Sequence, residues 1–244
     1  MRCLSIALTL VMLVAGCAAV PPDPHRTVVF AAASLRAAFT ELDVALRAAD
    51  PGAAVEFSFA GSADLLAQLT GGARADVFAS ADTETMDRAV EAGLVEEPES
   101  FATNTLTIVV APGNPKGINT FGDLREVSVV ACAPVVPCGA ALTRIEAATG
   151  IDLAPVSEEN SVADVLNKVT SGQADAGLAY VTDARAAAGR VTAVAIRESV
   201  AAVNSYRIAL TRDAANPANG RRFIEWVTGP TGREILRRAG FGPA

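Results

Sequence analysis

The sequence predicts an α/β protein of two lobes joined by two chain crossings. Three observations lead there. Short apolar strands alternate with helix-patterned segments from Thr27 onward, as in sheets with crossover helices. A strand from Asn104 ends in the Pro/Gly cluster "APGNP", after which the same grammar starts again. Finally, the C-terminal tail is helical and has no sheet of its own, so it must pack back on the first lobe.

Each element has its own signal. "TVVFAAAS" is a strand, and Leu35, Phe39, Leu42 and Leu46 then recur at helical spacing until Asp50-Pro51-Gly52. "AVEFSFAGS" alternates Val55, Phe57 and Phe59 on one side, before a helix carrying Leu65, Leu66 and Leu69 that stops at Gly71-Gly72. "ADVFAS" is the third strand, and a helix from Asp82 to Ala92 follows with Met86 and Val90 inward and Gly93 as its stop. The second unit has strand "VSVVAC", helices 139–149 and 161–170, and strands "AGLAYV" and "VTAVAIR". "NSYRIAL" carries the chain back to two helices joined at Gly229-Pro230. The expected partition is lobe I over residues 27–108 plus 205–244 and lobe II over 109–204.

The first 26 residues are a separate matter. A basic Arg2, an apolar run from Leu4 to Val14 and then Val14-Ala15-Gly16-Cys17 read as a secretory signal, too short to remain as a membrane span. The residues before Cys17 resemble a bacterial lipobox, which implies loss of residues 1–16, lipidation of Cys17 and anchoring on the outer face of the cytoplasmic membrane. Residues 17–26, with "VPPDPHR", form a proline-rich tether. The chain carries a net charge of −7; without residues 1–16, which hold Arg2 and no acid, it carries −8. That balance argues against nucleic acid as a partner. The single histidine, His25, lies in the tether, so the folded part has no imidazole for acid/base catalysis or metal ligation.

The candidate site lies where strands run into helices. Ser34, Ser62, Cys138-Gly139 and Ser161-Val162 each stand at such a junction. A serine there can be a cap contributing about 1 kcal/mol and nothing more. Four such junctions, however, lie at the carboxyl ends of strands, where α/β sheets bind ligands. Several helix N-termini aimed at one point make an anion site without a cationic side chain, which suits an acidic protein.

The blocks "VVFAAASLRAAF", "FAGSADLLAQLTGGARADVFASAD", "FATNTLTIVVAPGNP", "VPCG", "ADAGLAYVTDA" and "NGRRFIEWVTGPTGREILRRAGFG" resemble the molybdate-binding proteins of bacterial ABC import systems, from about Thr27 to Gly242. The resemblance implies a type II periplasmic binding protein fold closing on molybdate or tungstate as the transported ligand, with no cofactor. It implies delivery to a membrane permease by a monomeric receptor. It also implies a shell in which Ser34 and Ser62 offer hydroxyl and backbone N–H, Cys138 and Val162 backbone N–H, and Tyr180 its phenol. Molybdenum would enter only as the oxyanion. Two departures stand out. Asp64 follows "AGSA" where relatives are acid-free, and is expected to point outward; Cys138 stands where relatives often carry alanine, which leaves its N–H available.

With Cys3 in the signal and Cys17 lipidated, Cys132 and Cys138 remain as a pair in an exported chain, which argues for a disulfide; free thiols or ligands for a soft metal are the alternatives. Tyr180 alone reads equally as a packing aromatic. Phe101, Phe223 and Trp226 are assigned to cores, Asp76, Asp175 and Asp183 to turns or caps, Asp82 to a solvated helix start, and the arginines of "GRRF" and "REILRR" to a solvated face. Three competing functions are weighed. A receptor for sulfate, phosphate or another small solute shares the fold. A serine hydrolase lacks a base and the G-x-S-x-G elbow. A regulator's sensing domain is disfavoured by the export signal and the absence of a DNA-binding segment.

Overall fold

The structure is a computed structural model that describes residues 26–244; the signal, Cys17 and the tether lie outside these, except Arg26, expected in the tether, which begins the first strand. Two five-stranded mixed sheets, each with its own helices, make two lobes.

In the first lobe β1 (Arg26–Ala32), β2 (Ala54–Ala60) and β3 (Val77–Ser80) are parallel, in the order β2-β1-β3. β10 (Asn204–Leu210) and β4 (Glu99–Asn104) complete the sheet, β10 running antiparallel to both neighbours. The crossover helices are α1 (Arg36–Ala49), α2 (Ser62–Thr70) and α3 (Thr83–Glu91). The period-2 pattern sorts β1: Val29 and Ala31 join Phe39 and Leu42 in the main core, while Phe30 meets Leu65, Phe78 and Met86 on the other face. The C-terminal α7 (Pro217–Thr228) packs on β1 and β10, and α8 (Pro230–Ala239) on α1 and β4. Phe101 and Phe223 are buried there and Trp226 is half-buried against the same core.

The second lobe orders its strands β7 (Ser157–Glu159), β6 (Val129–Cys132), β8 (Ala176–Tyr180), β5 (Leu106–Val110) and β9 (Thr192–Val194). Its helices are α4 (Pro137–Thr149), α5 (Val162–Thr170) and the short α6 (Val181–Ala186). Pro137 occupies the first turn of α4, where a missing N–H leaves no helical bond unmade.

Several expectations need correction. The stretch after Asn104, expected to stay in lobe I to residue 108, enters the second sheet as β5 at Leu106, so the chain crosses at Thr105 and returns at Val203. The reason is pairing: Leu106–Val110 bonds along its whole length to β8. β4, β7 and α6 had no clear sequence signal, because β4 and β7 carry Glu, Ser, Thr and Asn, and α6 is too short to show a period. Val90 is 39% exposed rather than inward; the buried face of α3 runs through Thr85, Met86 and Ala89. Asp82 starts α3 as expected, accepting from Thr85 N–H at 3.1 Å, yet it is buried and not solvated, and burial raises its carboxyl above the usual range.

Asp76 ties β1 to the start of α7 by accepting from Val28 N and Asn216 N, each at 2.7 Å, and Asp175 accepts from Ser128. Four of the five tail arginines are exposed and paired: Arg221 with Glu96, Arg222 with Asp50, Arg237 with Glu234 and Arg238 with Glu41. Pairs this exposed contribute little to stability.

Candidate functional site

The carboxyl ends of strands from both sheets meet at one small cavity. Ala32–Ser34, Gly61-Ser62 and Ala81 line it from the first lobe, and Pro137-Cys138, Asn160–Val162 and Tyr180 from the second. It therefore brings together Ser34, Ser62, Cys138, Val162 and Tyr180, all buried. Its volume is about 20 Å³, the scale of a single small solute. No lysine or arginine is among the lining residues, and Asp64 is not among them either.

The donors come from helix starts. Ser62 is the first residue of α2, and Val162 the first of α5. In α4 Pro137 has no N–H, so Cys138 carries the first one. By position these N–H groups have no intrahelical acceptor, and the positive ends of the helix dipoles lie at the cavity. Ser34 sits in a 3₁₀ turn ahead of α1, and its hydroxyl caps nothing: it lies 2.8 Å from the Tyr206 hydroxyl. Ser161, by contrast, does act as a cap, donating to Asp164 Oδ2 at 2.7 Å and accepting from Asp164 N–H at 3.3 Å.

Hydrogen-bond polarity can be followed inward. Asn104 Oδ1 accepts from Thr105 N–H at 3.0 Å, so Nδ2 faces Thr182 Oγ1 at 2.8 Å and Tyr206 Oη at 3.4 Å. Tyr206 accepts from Asn104, and in its bond with Ser34 either hydroxyl can donate; with Tyr206 as the donor, the Ser34 proton is left for the cavity. Ser62 Oγ accepts from Ala81 N–H at 3.0 Å and likewise keeps its proton. The Tyr180 hydroxyl lies 2.7 Å from Asn204 Nδ2. Desolvation by burial, reinforced by Tyr206, Asp82 and Asp183 and opposed by Arg144, raises the Tyr180 phenol well above its ordinary range. Burial raises Tyr206 in the same way and pushes the Asp183 carboxyl up to about 7. Both phenols thus stay protonated, as donors must.

Cys132 and Cys138 form a disulfide with Cα atoms 5.6 Å apart, closing the turn from which the Cys138 N–H emerges. In the chain-entropy account a loop this short stabilises by about 2 kcal/mol. Reduction is expected to lower the thermal midpoint by roughly 6 °C, read by calorimetric scans with and without reductant; an unchanged midpoint would mean that the bridge adds nothing.

The lobes touch directly beside the cavity. A Cβ built on Gly61 of the first lobe would lie 2.2 Å from the Asn160 carbonyl oxygen of the second. Sequence reasoning passed over Gly61, Asn160, Asn104, Asn204 and Tyr206. Tyr206 is one of two tyrosines and alternates with apolar residues in "NSYRIAL", but nothing local shows that its hydroxyl reaches Ser34.

Two mixed sheets, two crossings and a ligand-sized cavity between the lobes define a solute-binding protein of the two-lobed α/β class. Residues 27–242 match the family described as bacterial extracellular solute-binding protein, and the chain belongs to that family. A relative from Mycobacterium tuberculosis named molybdate-binding protein ModA is 52% identical over 253 residues, covering 98% of this chain and 97% of the relative. The solved structure of the Azotobacter vinelandii periplasmic molybdate-binding protein superposes with a TM-score of 0.77 at 22% identity, covering 89% of this chain and 99% of that one. The sulfate-binding protein SubI of M. tuberculosis superposes almost as well, with a TM-score of 0.76 at 20% identity over 90% of this chain and 87% of its own. At such identities the likeness shows the fold and does not separate ligands.

Proposed function

We propose that this protein is an extracytoplasmic receptor that captures molybdate or tungstate between its lobes and hands it to an ABC import permease. The carrying observation is a cavity to which Ser34, Ser62 and Tyr180 bring hydroxyls and the starts of α2, α4 and α5 bring N–H groups, with no cation and no carboxylate lining it. Such a lining suits a fully deprotonated tetrahedral dianion, because charge-assisted bonds from neutral donors offset its charge. Choice of molybdate over sulfate rests on the 52% identical relative's name and on cavity size.

Ser34, Ser62, Cys138, Val162 and Tyr180 are the proposed shell. Because the two lobes each hold part of it, the anion binds the closed form better and shifts the population toward closure. Anchoring through Cys17 is supported by the Val14–Cys17 sequence alone, and a monomer by the completeness of the cavity within one chain. No helix of the described residues is long and apolar enough to cross a membrane.

Calorimetric titration with molybdate, tungstate, sulfate and phosphate is the test. The expected result is tight one-to-one binding of the first two and at least hundredfold weaker binding of the others. Ser34→Ala is expected to weaken molybdate by roughly thirtyfold, the loss of one charge-assisted bond of about 2 kcal/mol. Equal heats with sulfate would move the assignment to a general oxyanion receptor.

A further inference from the structure

Tyr180 and Ser34 each depend on an asparagine, and the two asparagines are partners. Asn104 and Asn204 pair directly in the β4–β10 register, at the point where both crossing strands leave the first sheet. Asn104 reaches Ser34 through Tyr206. Asn204 is buried and touches both lobes: its Nδ2 lies 3.1 Å from Ala81 O in the first, and 3.2 Å from Pro137 O and 2.7 Å from Tyr180 Oη in the second.

An asparagine amide can sit either way round, and contacts at both of its ends decide which: the Ala81 and Pro137 carbonyls only accept, so they must meet Nδ2. Arg144, on the exposed side of α4, extends its guanidinium to Asn204 Oδ1 at 2.6 Å. A guanidinium only donates, so it must meet the oxygen. The guanidinium and the two carbonyls thus enforce the same orientation, with Nδ2 toward Tyr180, so that the Tyr180 hydroxyl accepts from Asn204 and does not spend its own proton on it. With the amide reversed, Oδ1 would take the Tyr180 proton and the phenol would present a lone pair to an anion. Among the described residues Arg144 has no carboxylate within ion-pair distance, so its charge is not neutralised locally.

We infer that Arg144 and Asn204 are positioning residues for anion binding: the Arg144 guanidinium, acting with the Ala81 and Pro137 carbonyls, locks the Asn204 amide in the orientation that lets Tyr180 donate. The relay also ties the hinge to the site. Asn204 makes its bonds to Ala81, Pro137 and Tyr180 together only when the lobes are closed, so donor orientation and closure arise in one step. This inference rests on the oxyanion reading of the cavity.

The test is a double-mutant cycle read as molybdate Kd by calorimetry, in the wild type, Arg144→Met, Tyr180→Phe and the double variant, with ligand-free thermal midpoints as the folding control. Arg144→Met is expected to weaken binding about tenfold in the wild-type background and less than twofold when Tyr180 is phenylalanine, because the relay then has no hydroxyl to orient. Arg144→Lys, still a pure donor, is expected to recover most of the affinity. Equal weakening in both backgrounds would reduce Arg144 to a surface contact, and no weakening in either would remove it from the site; both overturn the relay. A wild-type protein that is silent toward molybdate and tungstate would overturn the oxyanion reading, and the relay with it. A wild type that binds while the cycle shows no coupling would overturn the relay alone.

Discussion

Gly61→Ala is expected to yield a folded protein that has lost at least a hundredfold of its affinity for the oxyanion. The added Cβ would stand 2.2 Å from the Asn160 carbonyl oxygen, well inside the separation of roughly 3.5 Å at which such atoms rest. Gly61 belongs to the first lobe and Asn160 to the second, so the clash is relieved by opening the cleft. Opening separates Ser34 and Ser62 from Cys138, Val162 and Tyr180, so no anion position satisfies both groups. Losing two charge-assisted bonds of about 1.5–3 kcal/mol each accounts for the loss. Calorimetry gives the affinity, and the ligand-free thermal midpoint is expected to stay within about 2 °C of wild type, since neither lobe's core is touched. Wild-type affinity in this variant would show that the Gly61–Asn160 approach has no part in closure.

The second large effect is expected at Gly139, and it falls on folding. A Cβ there would lie 1.9 Å from the Ala133 carbonyl oxygen and 2.8 Å from that of Cys132. All three residues belong to the second lobe: Cys132 and Ala133 open the turn closed by the Cys132–Cys138 bridge, and Gly139 follows it in the first turn of α4. This contact has no hinge to release it: either the bridged turn or the first turn of α4 must shift. Overpacking against fixed backbone costs about 3 kcal/mol, which corresponds to a fall of roughly 10 °C in thermal midpoint. Denaturant unfolding of Gly139→Ala beside Gly61→Ala separates the two mechanisms, one destabilised, the other stable but unable to bind. A Gly139→Ala protein as stable as wild type would mean that the turn adjusts freely and does not hold the Cys138 N–H in place.

Much of the architecture is legible in the sequence because it is written in local periods. Leu35, Phe39, Leu42 and Leu46 announce α1 by spacing, and all four are buried. Short strands such as "VSVVAC" are continuous apolar runs, as strands buried on both faces must be. The elements that left no trace are those whose order comes from neighbours. β7 is three residues of Ser and Glu held against β6, and β5 could be placed in the second lobe only by its pairing with β8. Val90 was misjudged because a helix period tells which residues share a face and not how wide the buried stripe is.

The candidate site divides along the same line. Ser34, Ser62, Cys138 and Val162 were recognisable because a residue at a strand-to-helix junction has unpaired N–H groups wherever the fold places it. What only the tertiary structure decided is the direction of each hydroxyl. The Ser34 hydroxyl is bonded to that of Tyr206, 172 residues away, and the Tyr180 hydroxyl meets the amide nitrogen of Asn204, which Arg144, 60 residues from it, and the carbonyls of Ala81 and Pro137 hold in place. Hydrogen-bond polarity is passed from atom to atom across the folded interior, and no local pattern of residues encodes it. By itself, then, the sequence determined a two-lobed α/β protein with helix N-termini gathered at one place. The contacts of Gly61 with Asn160 and of the two hinge asparagines decided that the place is closed and lined with donors, because both depend on how separate segments meet in space.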